Sequence, residues 1–168
     1  MLDAAFGAVG RLAERPSADF DFFMGIWRCR HRFLVRRLVD CRDWIEFDGC
    51  CAARRILGGW GNSDESEINF PGDPYRAMTL RTWDPMRRKW TLYQLDSRRP
   101  GKLGAPVRGG FDKGLGVFLG DDRHEGRPIR VRCLWSRITE NSARWEQAFS
   151  ADNGGSWETN WYMDIARV

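Results

Sequence analysis

The sequence predicts an all-β protein, a single up-and-down antiparallel barrel of about ten strands preceded by a short N-terminal helix. Its 168 residues suffice for one domain with a substantial core and are too few for two. Apolar and polar residues alternate with a period of two in several segments, as in half-buried antiparallel strands. Turn residues separate these segments, and no helix-length segment interrupts them, so few connections are long enough for parallel crossovers.

The N-terminal segment is predicted as a short amphipathic helix, because Leu2, Phe6, Val9 and Leu12 recur at near-helical spacing. Residues 1–18 are therefore assigned to this helix and its lead-in, and residues 19–168 to the barrel, within one domain spanning 1–168. The segment lacks the basic start and apolar centre of a signal peptide, so a cytoplasmic location is expected. No run of 18 apolar residues is present, so no membrane association is expected.

The first barrel strand is predicted in "IWRCRHRFLV", residues 26–35, where Trp27, Cys29, His31 and Phe33 alternate with arginines. "RPIRVRCLWSR", residues 127–137, repeats this pattern. The apolar side of each strand is expected to face the barrel interior and the arginine side to face water. The other predicted strands are 43–56, 65–70, 76–83, 90–97, 107–111, 115–120, 142–150 and 157–167.

Charge and cysteine content argue against several classes of site. The net charge is +4, but the basic residues are spread along the chain among acidic ones, so no nucleic-acid surface is expected. The five cysteines are odd in number and contain no C-x-x-C spacing, which fits neither a disulfide framework nor a zinc site. We therefore expect reduced cysteines, no metal and no cofactor.

Gly25-x-Trp27 at the start of strand one and Arg167 at the end of the last strand resemble the G-x-W and C-terminal Arg of lipocalins and the wider calycin group. That resemblance implies that Trp27 plugs the closed end of the barrel and that Arg167 packs across it. The whole chain also resembles a bacterial family of uncharacterised calycin-like domains, which implies a fold but no activity. The matching blocks are DFFMGIWRCRHRFL, DWIEFDG, GGWGNSDE, LRTWDP, W-x-x-Y-x-x-D-S, RWEQAFS-x-D-x-G and SWETNW.

The stretch "SADNGGSW", residues 150–157, resembles the Asp-box of sialidases and other β-rich carbohydrate-active proteins. A sialidase propeller needs repeated sheets, and this chain has one box and no repeats. We interpret the stretch as a hairpin turn, in which Asp152 and Asn153 hydrogen-bond to the turn backbone and Gly154 and Gly155 accept positive φ.

His31 is a candidate general base or ligand-binding residue of the barrel interior, since a barrel of this size either fills its interior or holds one small ligand. A core histidine satisfied by a neighbour is the alternative. Haem ligation as in the calycin-like nitrobindins is not expected, because their histidine lies near the C-terminus and the C-terminal strands here contain none.

Arg55 is a second interior candidate, following the small residues Gly49, Cys51 and Ala53 on one face of strand two. A buried arginine needs a partner or an anion. It is therefore predicted to meet a ligand anion or, as the alternative slightly preferred, to form an ion pair near the Trp27 end.

The hairpin around "DPMRRK" adds further candidates. If Trp83 opposes Trp90, then Arg81, Gln94 and Asp96 face the interior, where Arg81 can bind a ligand carboxylate beneath Trp83 or form a bridge to an aspartate. Asp96 is also a candidate acid or base. In the same way, if Trp145 opposes Trp161, then Gln147, Thr159 and Trp161 point inward and Glu146 points outward.

The Gly-rich "GGWGNSDE" is interpreted as a loop, with Asn62, Asp64 and Glu65 as turn residues rather than a cation site. Three functions then remain open. The first is a barrel that binds a small apolar or aromatic ligand, with or without an acid group. The second is a cofactor-independent lyase, isomerase or cyclase using His31 or Asp96. The third is a filled barrel that acts through its surface, including as a homodimer.

Overall fold

The structure of the protein is a computed structural model that describes residues 16–168. These residues form a closed barrel in which each antiparallel strand pairs with its neighbours in sequence and β10 pairs with β1. The predicted fold class is confirmed, while the predicted N-terminal helix lies outside the described residues. The strands are β1 (Gly25–Leu34), β2 (Trp44–Ile56), β3 (Gly61–Ile68), β4 (Tyr75–Asp84), β5 (Lys89–Asp96), β6 (Val107–Asp112), β7 (Leu115–His124), β8 (Arg127–Ser136), β9 (Ser142–Ser150) and β10 (Glu158–Arg167).

Alternation along the strands divides inside from outside as predicted. In β1, Trp27, Cys29 and His31 are buried, whereas the arginines between them are exposed. The outward Arg30 pairs with Glu46 and Asp48 of β2, each at 2.9 Å. These pairs lie at the surface and contribute little to stability, so the barrel depends on its interior.

One end of the barrel is closed by aromatic side chains. Trp27 is fully buried, and its indole Nε1–H donates to the Phe23 carbonyl at 2.7 Å. Phe23 lies in a 3₁₀ helix, Asp21–Phe23, that crosses this end before β1. The Arg167 guanidinium lies 4.1 Å from the Trp27 ring centre and donates to the carbonyls of Phe22 and Met24 at 2.7 and 2.8 Å. Arg167 thus packs across Trp27, as the calycin resemblance implies.

The hairpin between β9 and β10 is built around Asp152. Its Oδ1 accepts from the Ser156 N–H at 2.8 Å and from the Ser150 hydroxyl at 2.7 Å, while Oδ2 accepts from the Ser156 hydroxyl at 2.7 Å. These hydrogen bonds hold the pKa of Asp152 well below its usual range. Asn153 and Gly154 both have positive φ, 58° and 96°. The predicted hydrogen bonding of Asp152 to the turn backbone is therefore present, whereas positive φ occurs at Asn153 and Gly154 rather than at Gly154 and Gly155.

A β-bulge follows this turn. Thr159 opposes Ala148, but Trp161 already opposes Gln147, which leaves Asn160 as the extra residue in β10. The premise that Trp161 opposes Trp145 is wrong by two positions, and Thr159 does not share the inward face of Trp161. Because the shift is even, Gln147 and Trp161 still face inward, and Glu146 opposes the outward Tyr162.

The largest difference between prediction and structure is in the Gly-rich segment GGWGNSDE, residues 58–65. The sequence predicted a loop with a strand over 65–70, yet β3 starts at Gly61 and places Asn62 and Asp64 inside the barrel. Position 61 is a glycine for a steric reason, because a Cβ there would lie 2.6 Å from the Arg81 carbonyl oxygen. Within residues 16–168, no helix is long and apolar enough to cross a membrane.

Candidate functional site

The inward-facing side chains differ sharply between the two halves of the barrel. In the closed half, Trp27, Trp90, Phe118 and Trp135 are at most 1% exposed. In the open half, some inward positions keep water access, while others, among them His31, Phe47 and Phe149, are buried. Ala77, Thr79, Gln147 and Met163 are half-buried, and Gln94 is exposed. We refer to the region bordered by these inward side chains as the open-end chamber.

His31 lies in the wall of this chamber with two aromatic neighbours. Its Nδ1 accepts a hydrogen bond from the Trp161 indole N–H at 3.1 Å, and its ring stacks on Phe47 with a centroid separation of 4.9 Å. Gly49 provides the room, since a Cβ there would lie 2.9 Å from His31 Nε2. A neutral imidazole that accepts at Nδ1 carries its proton on Nε2. Burial lowers the pKa of His31 to about 4, so this neutral form persists at pH 7.

An ion pair forms the polar floor beneath the chamber. Arg81 Nη2 lies 2.5 Å from Asp64 Oδ1, and Arg81 Nη1 donates to Asn62 Oδ1 at 3.1 Å. The guanidinium also lies 5.0 Å from the ring centre of Phe23. The aspartate partner comes from β3, the segment interpreted as a loop, and not from Asp96. The full extent of β3 could have been predicted from residues at every second position, which share one face of a strand: Asn62, Asp64, Ser66 and Ile68.

The remaining predicted residues lie elsewhere. Arg55 has inward register but sits at the closed end, where it pairs with Asp21 at 2.7 Å and stays more than half exposed. This is the ion pair near the Trp27 end that the sequence offered as an alternative. Trp83 packs on Trp90, 5.4 Å between ring centres, also toward the closed end. Arg81 opposes Leu92, as the predicted register requires.

Asp96 lies at the open rim rather than inside the chamber. Arg98 donates to both of its carboxylate oxygens, and this hydrogen bonding lowers the pKa of Asp96. A carboxylate stabilised in its charged form is a weak base. The structure therefore brings together His31, Trp161 and Gln147 on adjacent walls, places Gln94 and Asp96 at the edge of the chamber, and separates all of them from Arg55 and Trp83.

Sequence reasoning missed Arg37, in the connection between β1 and β2 at the open end. Its guanidinium lies 4.2 Å from the Phe33 ring centre and 5.3 Å from that of Phe149. Both rings have inward register. The adjacent arginines Arg36 and Arg37, just beyond the first strand, could have indicated a basic group at the open end. The connection after the first strand of an antiparallel barrel lies at the end opposite Trp27.

Buried thiols also line the interior, at Cys29, Cys51 and Cys133. Burial raises the pKa of Cys133 to about 12, and a hydrogen bond donated by the Cys51 thiol to Cys29, together with burial, raises the pKa of Cys51. Cys51 and Cys133 therefore stay protonated at neutral pH, and all three buried cysteines act as small apolar side chains. In the part of the chain that the structure describes, no cluster of three or more histidine, cysteine or acidic side chains is placed to hold a metal ion.

No protein-family model matches this sequence, and no curated protein matches it at a significant level. Solved structures do match the fold. One is the S-type phycobiliprotein lyase CPES from Guillardia theta, with a TM-score of 0.53 and 10% sequence identity over 89% of this chain and 90% of that chain. At this identity the likeness shows the fold alone, a closed antiparallel up-and-down barrel.

Proposed function

We propose that this protein binds a small apolar or aromatic molecule bearing an acid group in the open-end chamber. The observation that carries the proposal is the partial exposure of inward residues in one half of a barrel whose other half is densely packed. A filled barrel would bury Thr79 and Met163 as fully as it buries Phe118. The chamber wall is aromatic, with Phe47, Trp145 and Trp161, and such rings favour flat or apolar ligands.

His31 supplies the polar contact within this wall. In residues 16–168 its Nε2–H makes no hydrogen bond, while Nδ1 is held by Trp161. An apolar chamber with a few placed polar groups is the usual construction of a small-molecule site. We propose that His31 Nε2–H donates a hydrogen bond to the ligand and that Gln147, opposite Trp161, offers a second polar contact.

Catalysis as a lyase, isomerase or cyclase is the second candidate. The structural neighbour is called a phycobiliprotein lyase, so barrels of this fold include a protein of that description. The side chains here favour binding, because His31 with a pKa near 4 is a weak base and Asp96 is held by Arg98 at the rim. Turnover of a bound compound that falls sharply in both His31→Phe and Asp96→Asn would favour the enzyme instead.

Filling the chamber is expected to weaken ligand binding without unfolding the barrel. Ala77 faces inward on β4 and is half-buried, so Ala77→Trp places an indole in the chamber. We expect its affinity for 1-naphthaleneacetate, measured by calorimetry, to fall by more than about tenfold, which corresponds to about 1.4 kcal/mol.

The matched control is Ala52→Trp, which adds the same indole at an exposed, outward position of β2. We expect this variant to bind within about twofold of wild type. Equal affinities in the two variants would place the ligand outside the chamber. Absence of saturable binding of both aromatic acids and fatty acids by wild-type protein would contradict the proposed function itself.

A further inference from the structure

Arg37 covers the mouth of the barrel from the connection between β1 and β2. Its guanidinium stacks over Phe33, near the end of β1, and Phe149, near the end of β9. The connection is fastened there by Glu158 at the start of β10, whose Oε1 accepts the Leu38 N–H at 2.7 Å. Arg37 is therefore held by its own neighbours above the open-end chamber.

The Arg37 guanidinium is partly removed from water but has, within the described part of the chain, no carboxylate partner that neutralises its charge. Burial lowers the pKa of Arg37 to about 10, so it stays charged at pH 7. Its Nε–H is buried and without a hydrogen-bond partner, and among residues 16–168 no carboxylate lies within 4.0 Å of its guanidinium. Tyr75 and Glu158 act on it only at longer range, and the Glu158 carboxylate already accepts from Leu38.

Arg81 and Arg55, the two inward-register arginines that the sequence analysis singled out, are already neutralised. Arg81 is paired with Asp64, and Arg55 is paired with Asp21. A ligand carboxylate reaching either would have to displace an aspartate. At Arg37 the same carboxylate would instead relieve the cost of a partly desolvated cation, and charge-assisted hydrogen bonds to arginine are strong ones.

Resting on the proposed function, we infer that Arg37 binds the carboxylate of the ligand at the barrel mouth. The ligand is then a carboxylate-ended amphiphile, which enters with its apolar end first. Its apolar part lies against Phe47 and Trp161, where His31 Nε2–H donates to the face of an aromatic ring of the ligand, and its acid group stays at the rim. Arg37, and neither Arg81 nor Arg55, determines the preference for acids.

The test compares 1-naphthaleneacetate with 1-naphthaleneacetamide, which keeps the ring and removes the charge. By calorimetry at low ionic strength, wild-type protein is expected to bind the acid at least about tenfold more tightly than the amide. Arg37→Met keeps an apolar side chain over Phe33, and we expect it to remove this preference while changing the amide affinity by less than about twofold. Arg37→Lys retains part of the preference, because lysine keeps the charge and loses the planar fork.

Arg30→Met is the matched control, since it removes an outward arginine paired with Glu46 and Asp48. It is expected to keep the full preference for the acid. Equal binding of acid and amide by wild type, a comparison that needs no variant, would overturn the role of Arg37 and leave the chamber as the binding site. An Arg37→Met variant that still prefers the acid over the amide as strongly as wild type would also overturn the role of Arg37. If wild-type protein binds none of the four compounds, the two naphthalene probes, dodecanoate and dodecanamide, both the proposed function and this inference are overturned.

Discussion

Asp64→Ala is expected to lower the free energy of unfolding by about 3–5 kcal/mol, because it leaves Arg81 as a buried cation without a carboxylate partner. The two side chains are only 7% and 5% exposed and lie 2.5 Å apart. Asn62 would remain as a neutral hydrogen-bond partner, and Phe20 and Phe23 lie close to the guanidinium, but neither neutralises its charge. Urea denaturation followed by tryptophan fluorescence measures the loss.

The double variant Asp64→Ala with Arg81→Met is expected to recover much of this stability, since replacing a whole buried pair by apolar groups is often close to neutral. Asp48→Ala is the surface control, because it removes an exposed aspartate that pairs with Arg30, and its effect is expected within about 0.5 kcal/mol. A double variant no more stable than Asp64→Ala alone would show that the pair is not the source of the loss.

Wild-type protein is expected to lose about 3 kcal/mol of stability between about pH 6.5 and pH 4, relative to His31→Phe. Burial lowers the pKa of His31 from its usual value of about 6.5 to about 4. In this interval the unfolded chain binds a proton at residue 31 that the folded protein does not, so stability is greatest above pH 6.5 and falls as the pH falls. Below pH 4 the contribution of His31 becomes constant.

The His31→Phe variant retains an aromatic ring against Phe47 and has no group that titrates at residue 31. Carboxylates titrate in both proteins, so the difference between their two stability curves isolates His31. Urea denaturation at closely spaced pH values measures both curves. Parallel curves over this interval would show that His31 is not a buried, neutral group, and would remove the basis for its proposed hydrogen bond to the ligand.

The sequence predicted the barrel because its strands carry their own pattern. In β1 and β8, apolar residues alternate with arginines, and the inner face can be identified without tertiary information. Trp27 and Arg167 could be placed through the resemblance to lipocalins, because they lie at the start of the first strand and at the end of the last. The turn at Asp152 was also predictable, since its hydrogen bonds run to residues within four positions.

The site was harder to predict because its residues depend on distant partners. Asn62 and Asp64 read as turn residues, and only Arg81 on the neighbouring strand explains why they are buried. The bulge at Asn160 breaks alternation, so the register of β10 could not be obtained from its sequence. Arg37 lies in a connection, and its position is set by Phe149, more than a hundred residues away.

The most direct test of the chamber as the binding site is a nuclear Overhauser measurement on protein labelled at its methionine methyl carbons, saturated with 1-naphthaleneacetate. Met163 faces the chamber from β10, Met78 has outward register on β4, and Met24 lies at the closed end. We expect contacts between the naphthalene protons and the Met163 methyl group, and none to Met78 or Met24. Contacts to Met78 without contacts to Met163 would place the ligand on the outside of the barrel and contradict the account.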